Sequence, residues 1–168
     1  MNIIKKARLV ATVAHAAVGQ QRKYTGEPYI VHPAEVAQLV TRYGGTENQI
    51  AAAWLHDVVE DTHITEEFIH EEFGDDIASL VFWLTDVSKP EDGNRAARKA
   101  KDLEHLRTAD SLAKTIKLAD IISNIKSIKE HDAEFAAVYL PEKRAELAVL
   151  TAGHAHLYRI AQQLLEVI

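Results

Sequence analysis

The chain has 168 residues, of which 47% are hydrophobic and 26% are charged. These proportions are typical of a folded globular domain and exclude a disordered chain. Cysteine is absent, which excludes disulfide bonds and thiolate metal sites. The formal net charge of −6 argues against a general nucleic-acid coat, but it leaves room for a small anionic ligand on a local basic patch.

The length predicts a single domain over residues 1–168. The N-terminal residues contain no apolar stretch followed by a small-residue cleavage site. The longest apolar runs are far shorter than the roughly 20 residues that span a membrane. We therefore expect a cytoplasmic protein with no membrane and no nucleic-acid partner. The sequence leaves the oligomeric state open, a homo-oligomer included.

Helical periodicity runs through the first half of the chain, and no alternating strand pattern competes with it. The first predicted helix has one broad apolar face, made of Ile4, Leu9, Val10, Val13, Ala14 and Ala17. Pro33 suits a first helical position, and Thr46 with Gln49 forms a predicted capping box. The pattern predicts helices at residues 2–18, 34–43, 46–60 and 65–74.

The second half of the chain continues in the same way. Residues 75–87 are apolar with helical spacing, and a break follows at residues 88–93. Asp110 is predicted to cap a helix that extends to about Lys129. Pro141 is predicted to begin a last long helix that reaches the C-terminus. The predicted fold class is therefore all-α, a helical bundle of about eight helices.

The sharpest chemical feature is residues 56–62, His-Asp-Val-Val-Glu-Asp-Thr. At about 100° per residue, one imidazole and three carboxylates of this segment fall within about 140° of one helix face. These residues are His56, Asp57, Glu60 and Asp61. Such groups destabilise one another unless a cation lies among them. The alternative is a solvated acidic face at the end of a helix.

Two further segments bear on this choice. His32 precedes a predicted helix within the apolar sequence Tyr-Ile-Val-His-Pro, and Asp120 lies in a strongly apolar predicted helix. A lone carboxylate in such a helix is costly unless it is paired or bound to a metal. His32 could instead be a core or capping histidine, and Asp120 could form an ion pair with Lys117 or Lys126.

Taken together, these positions supply two imidazoles and two carboxylates without sulfur. Such a donor set suits Mn²⁺, Fe²⁺, Co²⁺ or Mg²⁺ with open positions for water. A divalent ion there would make a water nucleophilic and would stabilise charge on phosphoryl oxygens. Carboxylates about one turn away could accept the proton from that water. Glu60 and Asp61 have this spacing from His56 and Asp57.

The order His, His-Asp, Asp along the chain resembles that of the HD superfamily of metal-dependent phosphohydrolases. Within that superfamily, three segments resemble the hydrolase domain of the RelA/SpoT alarmone enzymes, and the short chain is similar to the free-standing small alarmone hydrolases. The segments are residues 22–33 (RKYTGEPYIVHP), 56–62 (HDVVEDT) and 117–120 (KLAD).

The resemblance implies an all-helical fold and a site with definite roles. The metal would be one Mn²⁺ per chain, with His32, His56, Asp57 and Asp120 as ligands. The reaction would be removal of the 3′-pyrophosphate from guanosine tetra- or pentaphosphate, which gives GDP or GTP and pyrophosphate. Glu60 and Asp61 would activate the attacking water. Four residues would contact the nucleotide, namely Arg22, Lys23, Asn124 and Ser127. Residues 121–123, Ile-Ile-Ser, depart from the basic and histidine residues often found there in the longer enzymes.

A highly anionic substrate also needs a basic receptor on a chain of net charge −6. Besides Arg22 and Lys23, the candidates are Lys89 and the window at residues 94–101, which carries Arg95 and three further cations. At helical spacing, at most two cations of the window can reach one phosphate group. The alternative for the window is a solvated helix face.

Two other functions stay open from the sequence. One is an HD phosphohydrolase that acts on another nucleotide, such as an adenosine alarmone, NADPH or a deoxynucleotide. The other is a non-catalytic helical module that binds a nucleotide. The remaining histidines, His15 among them, are scattered along the chain, and the sequence assigns them no role.

Overall fold

Ten α-helices and one 3₁₀ turn form the computed structural model, which describes residues 1–166. No strand occurs within this range, so the predicted all-α class is confirmed. The chain divides into two compact units, Met1–Thr85 and Asp86–Ile168. A single domain over residues 1–168 stays a prediction. None of the described helices combines the length and the apolar character needed to cross a membrane.

The first unit is organised around helix α3. Its helices are α1 (Ile3–Ala17), α2 (Val31–Arg42), α3 (Glu47–Leu55), α4 (Val58–Asp61), α5 (Glu66–Phe73) and α6 (Asp75–Leu84). Helix α3 packs against α1, α2 and α6. It carries the fully buried Ala51, Ala52, Ala53 and Leu55. Residues 50–55 of this helix are all apolar, which suits a position in the core, and its alanines allow neighbouring helices to approach closely.

The second unit is organised around helix α8. It contains a 3₁₀ turn (Pro90–Asp92), α7 (Arg95–Arg107), α8 (Ser111–His131), α9 (Ala133–Val149) and α10 (Ala155–Glu166). Helix α8 packs against α9 and α10. Its buried side chains include Leu118, Ile121, Ile122 and Ile125. These residues make α8 the core helix of this unit.

Side-chain caps fix several helix boundaries where the sequence places them. The hydroxyl of Thr46 accepts from the backbone N–H of Gln49 at 3.2 Å, and the side-chain Oε1 of Gln49 accepts from the backbone N–H of Thr46 at 3.0 Å. Thr65 and Asp110 cap α5 and α8 with single bonds, by accepting from the N–H groups of Phe68 and Ala113. Each cap satisfies backbone donors that the first helical turn leaves unpaired.

Two helix boundaries were predicted wrongly because of proline. Helix α2 begins at Val31, so Pro33 lies inside its first turn, where a missing N–H has little cost. Pro141 lies in the middle of α9 rather than at its start, because Asp132 caps this helix by accepting from the Phe135 N–H at 2.9 Å. The predicted last helix is therefore two helices, and its final residues, 167 and 168, lie outside the described range.

The predicted buried face of α1 also needs correction. Leu9 and Val13 are 52% and 59% exposed, whereas the buried residues of α1 are Ala7, Ala11, Ala14 and His15. The small alanine side chains let α1 approach α3, and this packing outweighs the burial of the larger apolar side chains.

The break between α9 and α10 provides a test of the packing in the second unit. A Cβ atom at Gly153 would lie 2.7 Å from Cδ1 of Leu118 and 3.2 Å from the backbone oxygen of Leu150. Gly153→Ala should lower the free energy of unfolding by about 1–3 kcal/mol, because the backbone here cannot yield freely. Urea denaturation measures this loss. Ala152→Ser, at an exposed neighbouring position, is the control, and equal stability of both variants would contradict the packing.

Candidate metal centre

Three ligand atoms converge in the first unit. Nε2 of His56 lies 3.2 Å from Nε2 of His32 and 3.0 Å from Oδ2 of Asp57. The distance from Nε2 of His32 to the same carboxylate oxygen is 3.6 Å. Within the described range, His32, His56 and Asp57 form the only group of histidine and carboxylate side chains close enough together to hold one metal ion. The structure thus brings together three of the four predicted ligands.

The cluster forms where the predicted helix from residue 46 to Glu60 is interrupted. Helix α3 ends at Leu55 and α4 begins at Val58, so the assumption of one continuous helix face was wrong. Nδ1 of His56 contacts the carbonyl oxygen of Ala53 at 2.8 Å. In a continuous helix this carbonyl would accept from the N–H of Asp57. The His56 imidazole competes with the Asp57 N–H for the Ala53 carbonyl oxygen, and helix α3 ends just before His56.

The same contact fixes the tautomer of His56. A carbonyl oxygen can only accept, so Nδ1 carries the proton and Nε2 presents its lone pair to the cluster. The His32 ring meets the His56 ring edge-on, with 5.1 Å between the centroids. Both imidazoles are essentially inaccessible to solvent, whereas the Asp57 side chain is 18% exposed. The cluster is therefore reached from the side of Asp57.

Tyr29 orients the carboxylate of the cluster. Its hydroxyl donates to Oδ2 of Asp57 at 2.6 Å, and its ring packs edge-on against His32. Tyr29 ends the loop that follows α1, and two backbone hydrogen bonds join the two sides of this loop. The Tyr29 N–H donates to the Gln20 oxygen at 3.1 Å, and the Arg22 N–H donates to the Glu27 oxygen at 2.8 Å. Such outer contacts hold a ligand oxygen in place before an ion arrives.

The donor set fits a divalent ion. Bonds of about 2.1 Å at right angles leave two ligand atoms about 3.0 Å apart. The measured separations of 3.0 Å and 3.2 Å match this value, and 3.6 Å requires a wider angle. Lone pairs from nitrogen and oxygen at this spacing repel one another unless a proton or a cation lies among them. Nitrogen and oxygen donors without sulfur favour a borderline or hard ion.

The acidic pair of the motif lies in α4, directly after the cluster. Oδ2 of Asp61 accepts from Nε2 of Gln20 at 2.9 Å. Burial of its carboxyl group raises the pKa of Asp61, and the charge of Asp57 raises it further, against the opposing effect of the Gln20 hydrogen bond. Glu60 occupies the preceding position, and both residues are exposed, so the desolvation of the Asp61 carboxyl group is only partial. A carboxyl group with a raised pKa is suited to moving protons.

Asp120 belongs to the second unit, on α8, where it is buried. Its Oδ2 lies 2.9 Å from Nζ of Lys117, and its Oδ1 accepts from Nδ2 of Asn124 at 2.7 Å. Burial alone would lower the pKa of Lys117, but the carboxylates of Asp120 and its neighbours raise it well above the usual range. The structure therefore contains the Lys117 ion pair, one of the two ion pairs that the sequence allows as an alternative to metal binding. The role of Asp120 as a metal ligand stays a prediction.

The predicted nucleotide contacts are spread over both units. Arg22 and Lys23 lie in the loop between α1 and α2, with Arg22 half-buried and Lys23 exposed. In the second unit, Lys89 is exposed and Ser127 is half-buried on α8. The guanidinium of Arg95 forms two hydrogen bonds with Glu142, at 2.8 and 2.9 Å. These roles stay predictions.

Two further cations of the basic window are paired with nearby carboxylates. Lys99 pairs with Asp86 at 2.9 Å, and Lys101 pairs with Asp92 at 2.8 Å. With the Arg95 pair, three of the four cations are paired, which for these three favours the solvated helix face that the sequence left open as an alternative.

Three side chains that contact the site were given no role by the sequence analysis, although Tyr29 lies within one of the quoted motif segments. His15, Gln20 and Tyr29 connect α1 and the following loop to the carboxylates of the cluster and of α4. One signal was available, because a histidine on the alanine-rich buried face of α1 is costly without a partner.

The sequence of the chain also matches a protein-family model. The model for the HD domain matches residues 7–144 of the chain. The chain belongs to the HD domain family. The matched range contains both parts of the motif for which the family is named, His56 and Asp57, together with His32 and Asp120.

Curated relatives of this HD domain are much longer proteins. Over 112 residues it is 42% identical to a probable guanosine-3′,5′-bis(diphosphate) 3′-pyrophosphohydrolase of Synechocystis, which covers 65% of this chain and 15% of that protein. Over 130 residues it is 35% identical to a protein of the same name, without the qualifier, from Aquifex aeolicus, covering 77% of this chain and 18% of the relative. The chain thus spans less than a fifth of the length of these relatives.

A solved structure matches nearly the whole length of the HD domain. It is a metazoan ortholog of SpoT that is stated to hydrolyse ppGpp and to play a role in starvation responses. The superposition has a TM-score of 0.87 at 26% sequence identity, and it covers 98% of this chain and 94% of the other. The fold of the chain is therefore that of this ppGpp hydrolase.

The Tyr29 contact predicts the strength of metal binding. Tyr29→Phe removes the donor to Asp57 and should weaken Mn²⁺ binding about 10-fold, because the carboxylate is then free to rotate away. Isothermal titration of the metal-free protein measures the change. Tyr158→Phe, on α10, is the control. Unchanged affinity in Tyr29→Phe would show that the hydrogen bond does not orient the ligand.

Proposed function

We propose that this HD domain removes the 3′-pyrophosphate of guanosine tetra- or pentaphosphate, giving GDP or GTP and pyrophosphate, and that it does so with one Mn²⁺ per chain. The observation that carries the proposal is the buried convergence of His32, His56 and Asp57, followed at once by the acidic pair of α4. The match in fold to a ppGpp hydrolase and the names of the longer relatives support the substrate.

The residues of the first unit would have two functions, metal binding and proton transfer. His32, His56 and Asp57 would hold the ion, and a divalent ion there would supply Lewis acidity that activates water and stabilises phosphoryl charge. Asp61 and Glu60 would accept the proton of the attacking water. The raised pKa of Asp61 suits this role, because a carboxyl group whose pKa is raised holds an accepted proton more readily than an ordinary aspartate.

The remaining assignments rest on the family resemblance. Asp120 would complete the ligand set, and Arg22 with Lys23 would bind the nucleotide. Arginine suits a nucleotide because its planar guanidinium both stacks on a base and pairs with phosphate. The other nucleotide contacts in the proposal are Lys89, Arg95, Asn124 and Ser127. Cytoplasmic residence and the lack of nucleic-acid partners stay predictions.

Product analysis tests the proposal. Purified protein is incubated with guanosine tetraphosphate and Mn²⁺, and in parallel with Mg²⁺ or Zn²⁺, and the products are separated. Equal amounts of GDP and pyrophosphate with Mn²⁺ are expected. Release of orthophosphate, or faster turnover of an adenosine alarmone, NADPH or a deoxynucleotide, would favour a different HD phosphohydrolase. Tight binding without turnover would favour a nucleotide-binding module.

Loss of a ligand predicts loss of both metal and activity. His56→Ala leaves the buried cluster with one imidazole and should abolish stoichiometric Mn²⁺ binding and reduce activity to background. Chelation of the parent should have the same effect, reversed by added Mn²⁺. Elemental analysis and pyrophosphate release measure both. His70→Ala, whose imidazole is exposed and pairs with Asp75, is the control. Full activity of thoroughly demetallated parent would contradict the prediction.

The acidic pair predicts a different result. Asp61→Asn and Glu60→Gln should each lower kcat by about 10²–10⁴-fold, the usual size of general-base assistance. Neither residue is a ligand in this proposal, so each variant should still bind one Mn²⁺ per chain and should unfold at nearly the parent temperature. Single-turnover rates and metal content are measured together, with Glu67→Gln on α5 as the control. Lost metal would make these residues ligands, and parental rates would make them bystanders.

A further inference from the structure

A buried histidine of α1 is hydrogen-bonded, through one glutamine, to the acidic pair of α4. His15 is 1% exposed, and its Nδ1 lies 2.7 Å from Oε1 of Gln20. Nε2 of the same glutamine donates to Oδ2 of Asp61 at 2.9 Å. The path from the core of the first unit to Asp61 thus consists of two short hydrogen bonds.

The chemistry of the three groups fixes the direction of both bonds. An ionised carboxylate only accepts, so the amide of Gln20 must turn its NH₂ group toward Asp61 and its oxygen toward His15. That oxygen also only accepts, so Nδ1 of His15 must carry the proton. Nε2 of His15 then has a lone pair, buried and without a hydrogen-bond partner among residues 1–166. A second proton there would be a buried donor without an acceptor, which is costly.

The backbone holds Gln20 in this position. The N–H of Gln20 donates to the oxygen of His15 at 3.1 Å, and the Gln20 oxygen accepts from the N–H of Tyr29. The ring of His15 also packs on the ring of Tyr29, with 4.8 Å between the centroids. One buried imidazole therefore contacts both side chains that reach the carboxylates of Asp57 and Asp61.

We propose that His15 and Gln20 are positioning residues that aim the carboxylate of Asp61 at the reacting water. This inference rests on the proposed function, because that proposal gives Asp61 its proton-accepting role. His15 fixes the orientation of the Gln20 amide, and the amide fixes the rotation of the carboxyl group. Neither residue touches the substrate or the ion in this account.

Kinetics of matched variants test the positioning role. Gln20→Met keeps the length of the side chain but loses the amide, and it should lower kcat about 10–100-fold, as outer hydrogen-bond partners commonly do, with KM and Mn²⁺ content unchanged. In an Asp61→Asn background the same change should have little further effect, because Gln20 acts through Asp61. Gln38→Met, on the exposed surface of α2, is the control.

Substitutions of His15 separate the hydrogen bond from the packing. His15→Phe keeps a ring in the core without the donor and should reproduce the kcat loss of Gln20→Met. His15→Asn places an N–H near the position of Nδ1 and should recover most of the rate, although it fills less of the core. Melting temperatures identify any variant that fails to fold. A lower rate in His15→Asn than in His15→Phe, with both folded, would overturn the role of the hydrogen bond.

The tautomer of His15 provides a readout that needs no turnover. In ¹⁵N NMR spectra of the Mg²⁺-loaded parent, His15 should show the proton on Nδ1, and Gln20→Met should remove this preference. A proton on Nε2 in the parent would overturn the inference whatever the activity. If the parent releases no pyrophosphate, the proposed function fails. The tautomer of His15 then shows by itself whether the hydrogen bonds from His15 through Gln20 to Asp61 exist. If the parent is active but Gln20→Met keeps the parental kcat, only the positioning role fails.

Discussion

Convergence of unshielded lone pairs in the core of the first unit is the constraint on which the rest of the site depends. The Nε2 atoms of His32 and His56 face each other at 3.2 Å, and a carboxylate oxygen lies within 3.6 Å of both. Packing alone gives no reason to bury such groups together, because each would be more stable in water. A cation among them turns the repulsion into attraction. The local structure is arranged to maintain this spacing.

Several features of the fold maintain that spacing. The alanines of α3 allow close packing, and the Ala53 carbonyl fixes the His56 tautomer while it interrupts the helix. The interruption places Asp57 at the turn and the acidic pair in the last two positions of a new short helix. The loop that follows α1 brings Tyr29 and Gln20 to the two carboxylates. Two of the ligands and the proton acceptors thus come from nearby positions in the chain but are oriented by different neighbours, and the third ligand, His32, comes from α2.

The sequence predicted the helical class from periodicity, and from residue type it named the three residues that the structure brings together, His32, His56 and Asp57. The fourth predicted ligand, Asp120, stays a prediction. The sequence also predicted the Thr46–Gln49 capping box, which depends only on local spacing. It failed where tertiary contacts decide the outcome. A proline inside α9 looked like a helix start, and Leu9 and Val13 looked buried.

The supporting residues of the site were missed for a related reason. His15, Gln20 and Tyr29 are separated from Asp57 and Asp61 by 28 or more positions, and no local pattern predicts which distant carboxylate a buried polar side chain will contact. The helix break at His56 is also invisible to periodicity, since neither glycine nor proline marks it and apolar residues continue on both sides.

Anomalous diffraction from a crystal grown with Mn²⁺ tests the central claim most directly. The account predicts one strong peak about 2.1 Å from Nε2 of His32, Nε2 of His56 and Oδ2 of Asp57. Little movement of these three atoms from their present spacing is expected. Absence of a peak at the cluster at saturating Mn²⁺, with the imidazoles joined by a shared proton, would contradict the account.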